Sequence, residues 1–285
     1  MNKLLIAIIS FLLISNLVFS QEIEAYSVFN SKGKLVSTKT MLKDLENADI
    51  ILFGEFHNNP ISHWFEYEIS YYLSTKHKII LGAEMFESDN QYDLTRYIRG
   101  EIDKPAFDSL VRLWPNYETD YSQLVLLAKK IGSEFIATNI PRKYAKMVHQ
   151  NGFEALDSLP DEEKRWIASL PIAYDPELGC YKKMTGMMMG HSSPNLPKAQ
   201  AIKDATMAYF ILKNYQEGHI FIHFNGAFHS DNYEGILWYL KKQKPKLRYI
   251  TISTVSQNYV NKLYDDNKGI ADYIICVDNN MTTSY

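Results

Sequence analysis

The stretch IILFGEFHNNPISHWFE, Ile50–Glu66, decides the fold. Ile50 to Phe53 are continuously apolar rather than alternating, as in a strand covered on both faces. Gly54 lets the chain turn sharply out of a sheet. Glu55 and His57 follow at once, and Pro60 reads as the start of a helix. A buried strand thus delivers a carboxylate and an imidazole to its C-terminal end just before a helix.

The same theme recurs outward from this stretch. Short apolar runs at Ile79–Ala83, Phe135–Thr138, Ile220–Phe224, Tyr249–Ser253 and Tyr273–Val277 read as strands, most of them separated by segments of helical spacing. This alternation predicts an α/β fold: a mostly parallel sheet flanked by helices on both faces. Glu22 to Thr40 reads as an N-terminal β-hairpin, AYSVF and KLVST around a turn at Asn30–Gly33. From about Gly152 to Tyr215 no strand is expected. Helices around Asp161–Ser169 and Pro197–Tyr215 flank an irregular segment, which suggests a helical cap insertion over about 152–215. The expectation is a single α/β domain over 21–285.

The chain has 285 residues, 46% hydrophobic and 22% charged, an ordinary globular balance. A formal net charge of -3 supplies no broad basic field for nucleic acid. Residues 1–20 have a basic start, an apolar run and small residues near Ser20, the pattern of a secretory signal peptide. A retained membrane anchor is the rival reading, although the run is short for a span of about 20 apolar residues. No cysteine stands at the cleavage site, so a lipid tether has no attachment point. Cys180 and Cys276 are the only cysteines. An exported chain permits a bridge between them, yet Cys276 lies inside an apolar run and reads as a buried small hydrophobe.

The polar residues fall at strand ends. The second strand of the series ends in Glu84 and Glu87, the third in Thr138-Asn139 before Pro141-Arg142, and the fourth in Asn225 to His229. In an open parallel sheet these ends lie along one edge, where ligands bind. Gly54–His57 and Gly226–His229 share the form G-x-x-H. Two imidazoles with Glu84 suit a divalent transition metal with an open coordination position. The plainer alternatives are a loop hydrogen bond for either histidine and a helix-capping role for Glu84 or Glu55. His63 lies off the Ile61-Phe65-Ile69 stripe, so periodicity turns it toward solvent. His223 reads as a core or edge histidine. In the cap, Tyr174, Tyr181, Met187 to Met189 and His191 crowd together; tyrosine and histidine both ligate haem iron, and methionine makes a soft apolar wall. Gln200 and Asp204 share one helical face.

Taken together, GEFHNNPISH, IILGAEMFE, LWPNYETDYSQLVLLAKKIG, ATNIPRKYA, QAIKDATMA and NGAFHS resemble the ChaN-like haem-binding uptake family, itself related to Tiki-type and erythromycin-esterase-like proteins. The resemblance runs in order from Gly54 to Ser230. It implies an α/β fold with a helical insertion, export to the periplasm or cell envelope, and haem binding linked to iron uptake or storage. It further implies haem held by tyrosine and histidine, in a homodimer whose subunits stack their haems. Tyr181 is the expected iron ligand, ahead of Tyr117 and Tyr121, with His191, His57, His63 and His229 as supporting cofactor-binding residues. Relatives with paired G-x-x-H motifs are similar to metal-dependent hydrolases. In that alternative His57, Glu84 and His229 hold the divalent metal and Glu55 is the general base.

Overall fold

A computed structural model of the chain describes residues 24–186 and 193–285. Residues 1–23, which include the expected signal peptide, and the cap residues Met187 to Ser192, His191 among them, lie outside the described residues. The elements run β1 (Tyr26–Asn30), α1 (Thr38–Leu45), β2 (Ile50–Glu55), α2 (Pro60–Ser74), β3 (Lys78–Glu87), α3 (Gln91–Ile98), α4 (Lys104–Leu110), α5 (Ser122–Ile131) and β4 (Phe135–Asn139). They continue with α6 (Arg142–Asn151), α7 (Asp161–Lys164), α8 (Gly179–Gly186), α9 (Leu196–Asn214), β5 (His219–Gly226), α10 (Ile236–Gln243), β6 (Tyr249–Gln257) and β7 (Tyr273–Asp278).

The seven strands form one sheet in the order β1-β7-β6-β2-β5-β3-β4. Every pairing is parallel except β1 with β7. Side-chain alternation divides each central strand between two cores. Ile51 and Phe53 of β2 pack with Phe65, Ile69 and Leu73 of α2 on one face. Ile50 and Leu52 pack with Met207 and Ile211 of α9 and with Leu237 and Leu240 of α10 on the other. Each such fully buried side chain contributes roughly 1.5–3 kcal/mol.

The helix after β2 and the helix after β5 therefore cover opposite faces, while β2 and β5 themselves are neighbours. Their connections leave in opposite directions, which opens a crevice at the carboxyl ends of these two strands. The first βα turn is built for this exit. Asn59 caps α2 by accepting from the backbone N–H groups of Ile61 and Ser62, both at 3.0 Å, and Pro60 sits in the first turn.

Two parts of the architecture differ from the sequence reading. The N-terminal hairpin keeps its first strand, but its return is a single bridge, Phe29 to Leu35. Leu35 is 57% exposed and has nothing to bury against, and Ser37 then caps α1. β1 instead lies antiparallel beside β7 at the sheet edge. The second difference concerns α9, which belongs to the sheet-covering layer rather than to a cap. No helix of the described residues is long and apolar enough to cross a membrane, and both cysteines are free and buried.

Candidate functional site

β2, β5 and β3 are adjacent, so Glu55–His57, Gly226–His229 and Glu84 arrive at one rim. Gly54 and Gly226 make the approach possible. A methyl group on Gly54 would stand 2.9 Å from the backbone of Ala227, and one on Gly226 would stand 2.9 Å from the His57 ring. The imidazole of His57 therefore lies directly over Gly226. The register of β3 against β4 slips between Ala83 and Glu87. There Glu84 turns from the ladder to accept from the Gly226 N–H at 2.9 Å.

His57 donates through Nδ1 to Glu55 Oε1 at 2.6 Å. Its ring edges onto Trp114 at 4.9 Å. Nε2 makes no hydrogen bond among the described residues, and the side chain keeps 35% of its surface open. Burial alone would lower the affinity of this imidazole for a proton; the Glu55 carboxylate reverses that and raises it. Tyr121 donates to the same Glu55 oxygen at 2.7 Å.

His229 is held differently. Its Nδ1 donates to Asp204, and its Nε2 stands 3.2 Å from Glu84 Oε1. The Gln200 amide lies 2.9 Å from Nδ1. Burial would lower the pKa of His229, but these two carboxylates push it up to about 10. Glu84 in turn is held well below the carboxylate range, His229 overcoming the cost of burial. Both nitrogens of His229 are thus committed, and it serves as a fixed buried cation. Tyr181, only 1% exposed, donates to Asp204 Oδ2 at 2.9 Å. Burial and Asp204 together keep its phenol protonated.

Behind Glu55 lies a second cluster. His63 is 8% exposed, contrary to the helical periodicity that turns it outward. The π-turn Tyr117–Tyr121 packs over this side of α2, and the Tyr121 ring meets His63 at 5.1 Å. His63 Nδ1 lies 3.2 Å from Glu66 Oε2 and 3.4 Å from Glu55 Oε2. Its Nε2 donates to the His57 carbonyl at 3.1 Å. Burial and the neighbouring Glu55 push Glu66 well above the usual carboxylate range. Among the described residues, three such ligand atoms come within 4.8 Å of one another at Glu55, His63 and Glu66. His57, Glu84 and His229 share the rim, but they do not form a grouping this close.

The rim opens into a cleft of about 840 Å³ whose lining includes His57, Glu84, Glu87, Asp89, Arg112, Trp114 and Pro115 together with Asn139, Ile140, Pro141, Arg142 and Lys203. Sequence reasoning placed Asn139 and Arg142 at a strand end without giving them a task, and it missed Glu66, Trp114 and Asn116. Asn116 donates to the His57 carbonyl at 3.1 Å, and no local pattern betrays such a contact. Gln200 and Asp204 were legible as a pair on one helical face; only the structure shows that His229 is their target. Tyr117 is buried in the core against Phe86 and Phe107 rather than at the rim.

Comparison with known proteins agrees with this architecture. The solved structure of cofacial heme binding to ChaN of Campylobacter jejuni is similar with a TM-score of 0.65 at 16% identity, over 88% of this chain and 96% of that one. A protein from Bacillus cereus is similar with a TM-score of 0.51 at 12% identity, over 89% of this chain and 95% of that one. At such identities the likeness is one of fold. No curated protein sequence matches the chain. A family model described as haem-binding uptake, Tiki superfamily, ChaN, matches residues 41–240. The chain belongs to the ChaN family of haem-binding uptake proteins in the Tiki superfamily.

Proposed function

We propose that this protein is an exported carrier or store of haem, which it binds in the cleft beside His57. The observation that carries this reading is the Glu55–His57 pair. A carboxylate that accepts from Nδ1–H fixes the imidazole and leaves the Nε2 lone pair as the ligand atom, the arrangement that supports metal-ligating histidines. The surroundings fit a flat macrocycle. Trp114, Pro115, Ile140 and Pro141 supply apolar walls, and about 840 Å³ lies within the usual range for ligand pockets. When bound, haem supplies an iron centre that takes axial nitrogen or phenolate donors. His57 is the best-placed donor among the described residues.

Ligation by Tyr181 is the competing assignment. It requires the phenol to leave Asp204 and lose its proton, so in this reading Tyr181 instead positions Asp204 and, through it, His229. Export rests on the leader-like residues 1–20, and a homodimer that brings two clefts face to face is part of the same proposal. Haem titration of the apo protein tests the main claim. A saturable Soret shift at one haem per chain is expected, lost in His57→Ala and retained in Tyr181→Phe. Absence of any saturable shift would refute haem binding; a shift lost only in Tyr181→Phe would transfer the ligand to the cap. Sedimentation with and without haem tests the dimer, and the N-terminal sequence of protein recovered from the cell envelope tests export.

The Glu55–His63–Glu66 grouping favours a second reading, a metal-dependent hydrolase. One divalent cation there would neutralise two buried carboxylates. Metal analysis and chelator-sensitive ester or peptide turnover test it; turnover that survives both His57→Ala and His229→Ala would reject any role of the rim in hydrolysis.

A further inference from the structure

The first βα unit carries a second group of ligating atoms that haem binding in the cleft does not use. His63 and Glu66 stand one turn apart on one face of α2, and Glu55, at the end of β2, meets that face. All three side chains are buried. Glu55 Oε1 accepts from His57 and Tyr121, whereas its Oε2 has no hydrogen-bond donor among the described residues. Glu66 Oε1 is likewise buried without one. His63 donates from Nε2 to the His57 carbonyl at 3.1 Å. The neutral ring therefore turns its Nδ1 lone pair toward Glu66 Oε2 at 3.2 Å and Glu55 Oε2 at 3.4 Å.

Lone pairs of one imidazole and two carboxylates thus converge, and acceptors facing one another in the interior need a positive species between them. The protein supplies no fixed cation there. Among the described residues, the ion pairs of Glu55, Glu66 and Asp120 are all with His57 or His63. Asp120 itself is answered by the Asn116 amide and the Ser284 hydroxyl, both at 2.7 Å. A proton shared by the two glutamates is one occupant this geometry admits, and a metal ion is the other. Ligands 2.0–2.2 Å from a tetrahedral Zn²⁺ stand roughly 3.3–3.6 Å from one another. The two distances at Nδ1 already have that scale, and nitrogen with carboxylate oxygen is a donor set for zinc and its first-row neighbours.

We propose that Glu55 Oε2, His63 Nδ1 and Glu66 Oε2 form a closed site for one divalent cation of the zinc class, resident in the interior beside bound haem. None of the three residues lines the cleft. The ion ties the end of β2 to the first turns of α2, and His57 stands on the turn between them. The site is independent of the haem reading, and unlike the hydrolase reading it asks no chemistry of the ion.

Zinc is the probe. Protein stripped with EDTA is loaded with Zn²⁺, dialysed and analysed for metal, alone and after loading with haem. One zinc per chain is expected in both cases. Glu66→Gln and His63→Gln each remove one ligand and keep a polar side chain. Each should weaken zinc by more than about a hundredfold, beyond the 10–100-fold of a lost outer partner, with near-UV circular dichroism showing the fold intact. Zinc should raise the melting temperature of wild type and of neither variant. Either variant suffices if the other does not fold. If wild type takes up no zinc, a shared proton is the only occupant; the cation site is wrong and haem binding stands. Zinc expelled by stoichiometric haem, or held by the folded variants as tightly as by wild type, would also overturn the site. Zinc uptake as expected with no Soret shift on adding haem would leave the site standing and remove the haem reading.

Discussion

Gly226→Ala tests the His57 assignment with one methyl group. Gly226 has φ -55 and ψ 137, a conformation open to alanine, so the backbone does not object. The obstacle is His57, whose Cε1 and Nε2 would lie 2.9 Å from the new methyl. Carbon contacts settle near about 3.5 Å, so the ring must retreat by about 0.6 Å. Retreat draws Nδ1 away from Glu55 Oε1, to which it is bonded at 2.6 Å. Hydrogen bonds to charged groups are worth about 1.5–3 kcal/mol, and a tenfold change in affinity corresponds to about 1.4 kcal/mol. Haem affinity should therefore fall roughly tenfold to a hundredfold. The assay is a Soret titration, with near-UV circular dichroism to confirm that the variant is folded. In the double variant with His57→Ala the alanine at 226 should cost nothing further. A folded Gly226→Ala protein that binds haem within about twofold of wild type would refute the claim that the seat of His57 governs the site.

Three other expectations concern the buried polar groups. His223 is fully buried, bonded to Thr138 at 2.7 Å and Asn225 at 3.0 Å, and burial pushes its pKa down to about 4. The unfolded chain takes up that proton near pH 6.5 and the folded one does not, so stability present above pH 6.5 is lost as pH falls toward 4. The loss is about 3 kcal/mol by denaturant melts, and His223→Gln should flatten that limb. Asp204→Asn removes one of the two anions that raise His229. Its NMR titration should move down from about 10, and the broken buried pair should cost about 3–5 kcal/mol of stability. An unshifted His229 resonance would deny that Asp204 is its partner. Tyr121→Phe removes the hydroxyl that donates to Glu55, with an expected loss of about 1.5–3 kcal/mol in melts; no change would mean that this oxygen is satisfied by His57 alone.

The strands of the parallel sheet were legible because burial on both faces writes a continuous apolar run, as at Ile50–Phe53, that needs no long-range knowledge. The rim was legible for a related reason: polar residues that directly follow such runs must lie at the strand ends, which placed Glu55, His57, Glu84 and His229 together. Long-range packing was not. His63 breaks the apolar stripe of α2, and only the π-turn arriving from Tyr117–Tyr121 covers it. Nothing local distinguishes a phenol that meets solvent from one that reaches a carboxylate, so the bond of Tyr181 to Asp204 was invisible. The hairpin is present, but its return is short: Val36 packs on the core while Leu35, at the single bridge, stays exposed.

Glu55 joins two environments that are otherwise separate. One of its oxygens serves His57 and Tyr121, and the other faces His63 beside Glu66. Any alteration in the buried cluster of His63 and Glu66, whether a lost proton or a truncated side chain, is relayed through this shared carboxylate to the imidazole at the mouth. Ligand affinity can accordingly drift through changes at positions that never meet the ligand, and mutagenesis confined to the cleft walls would overlook them.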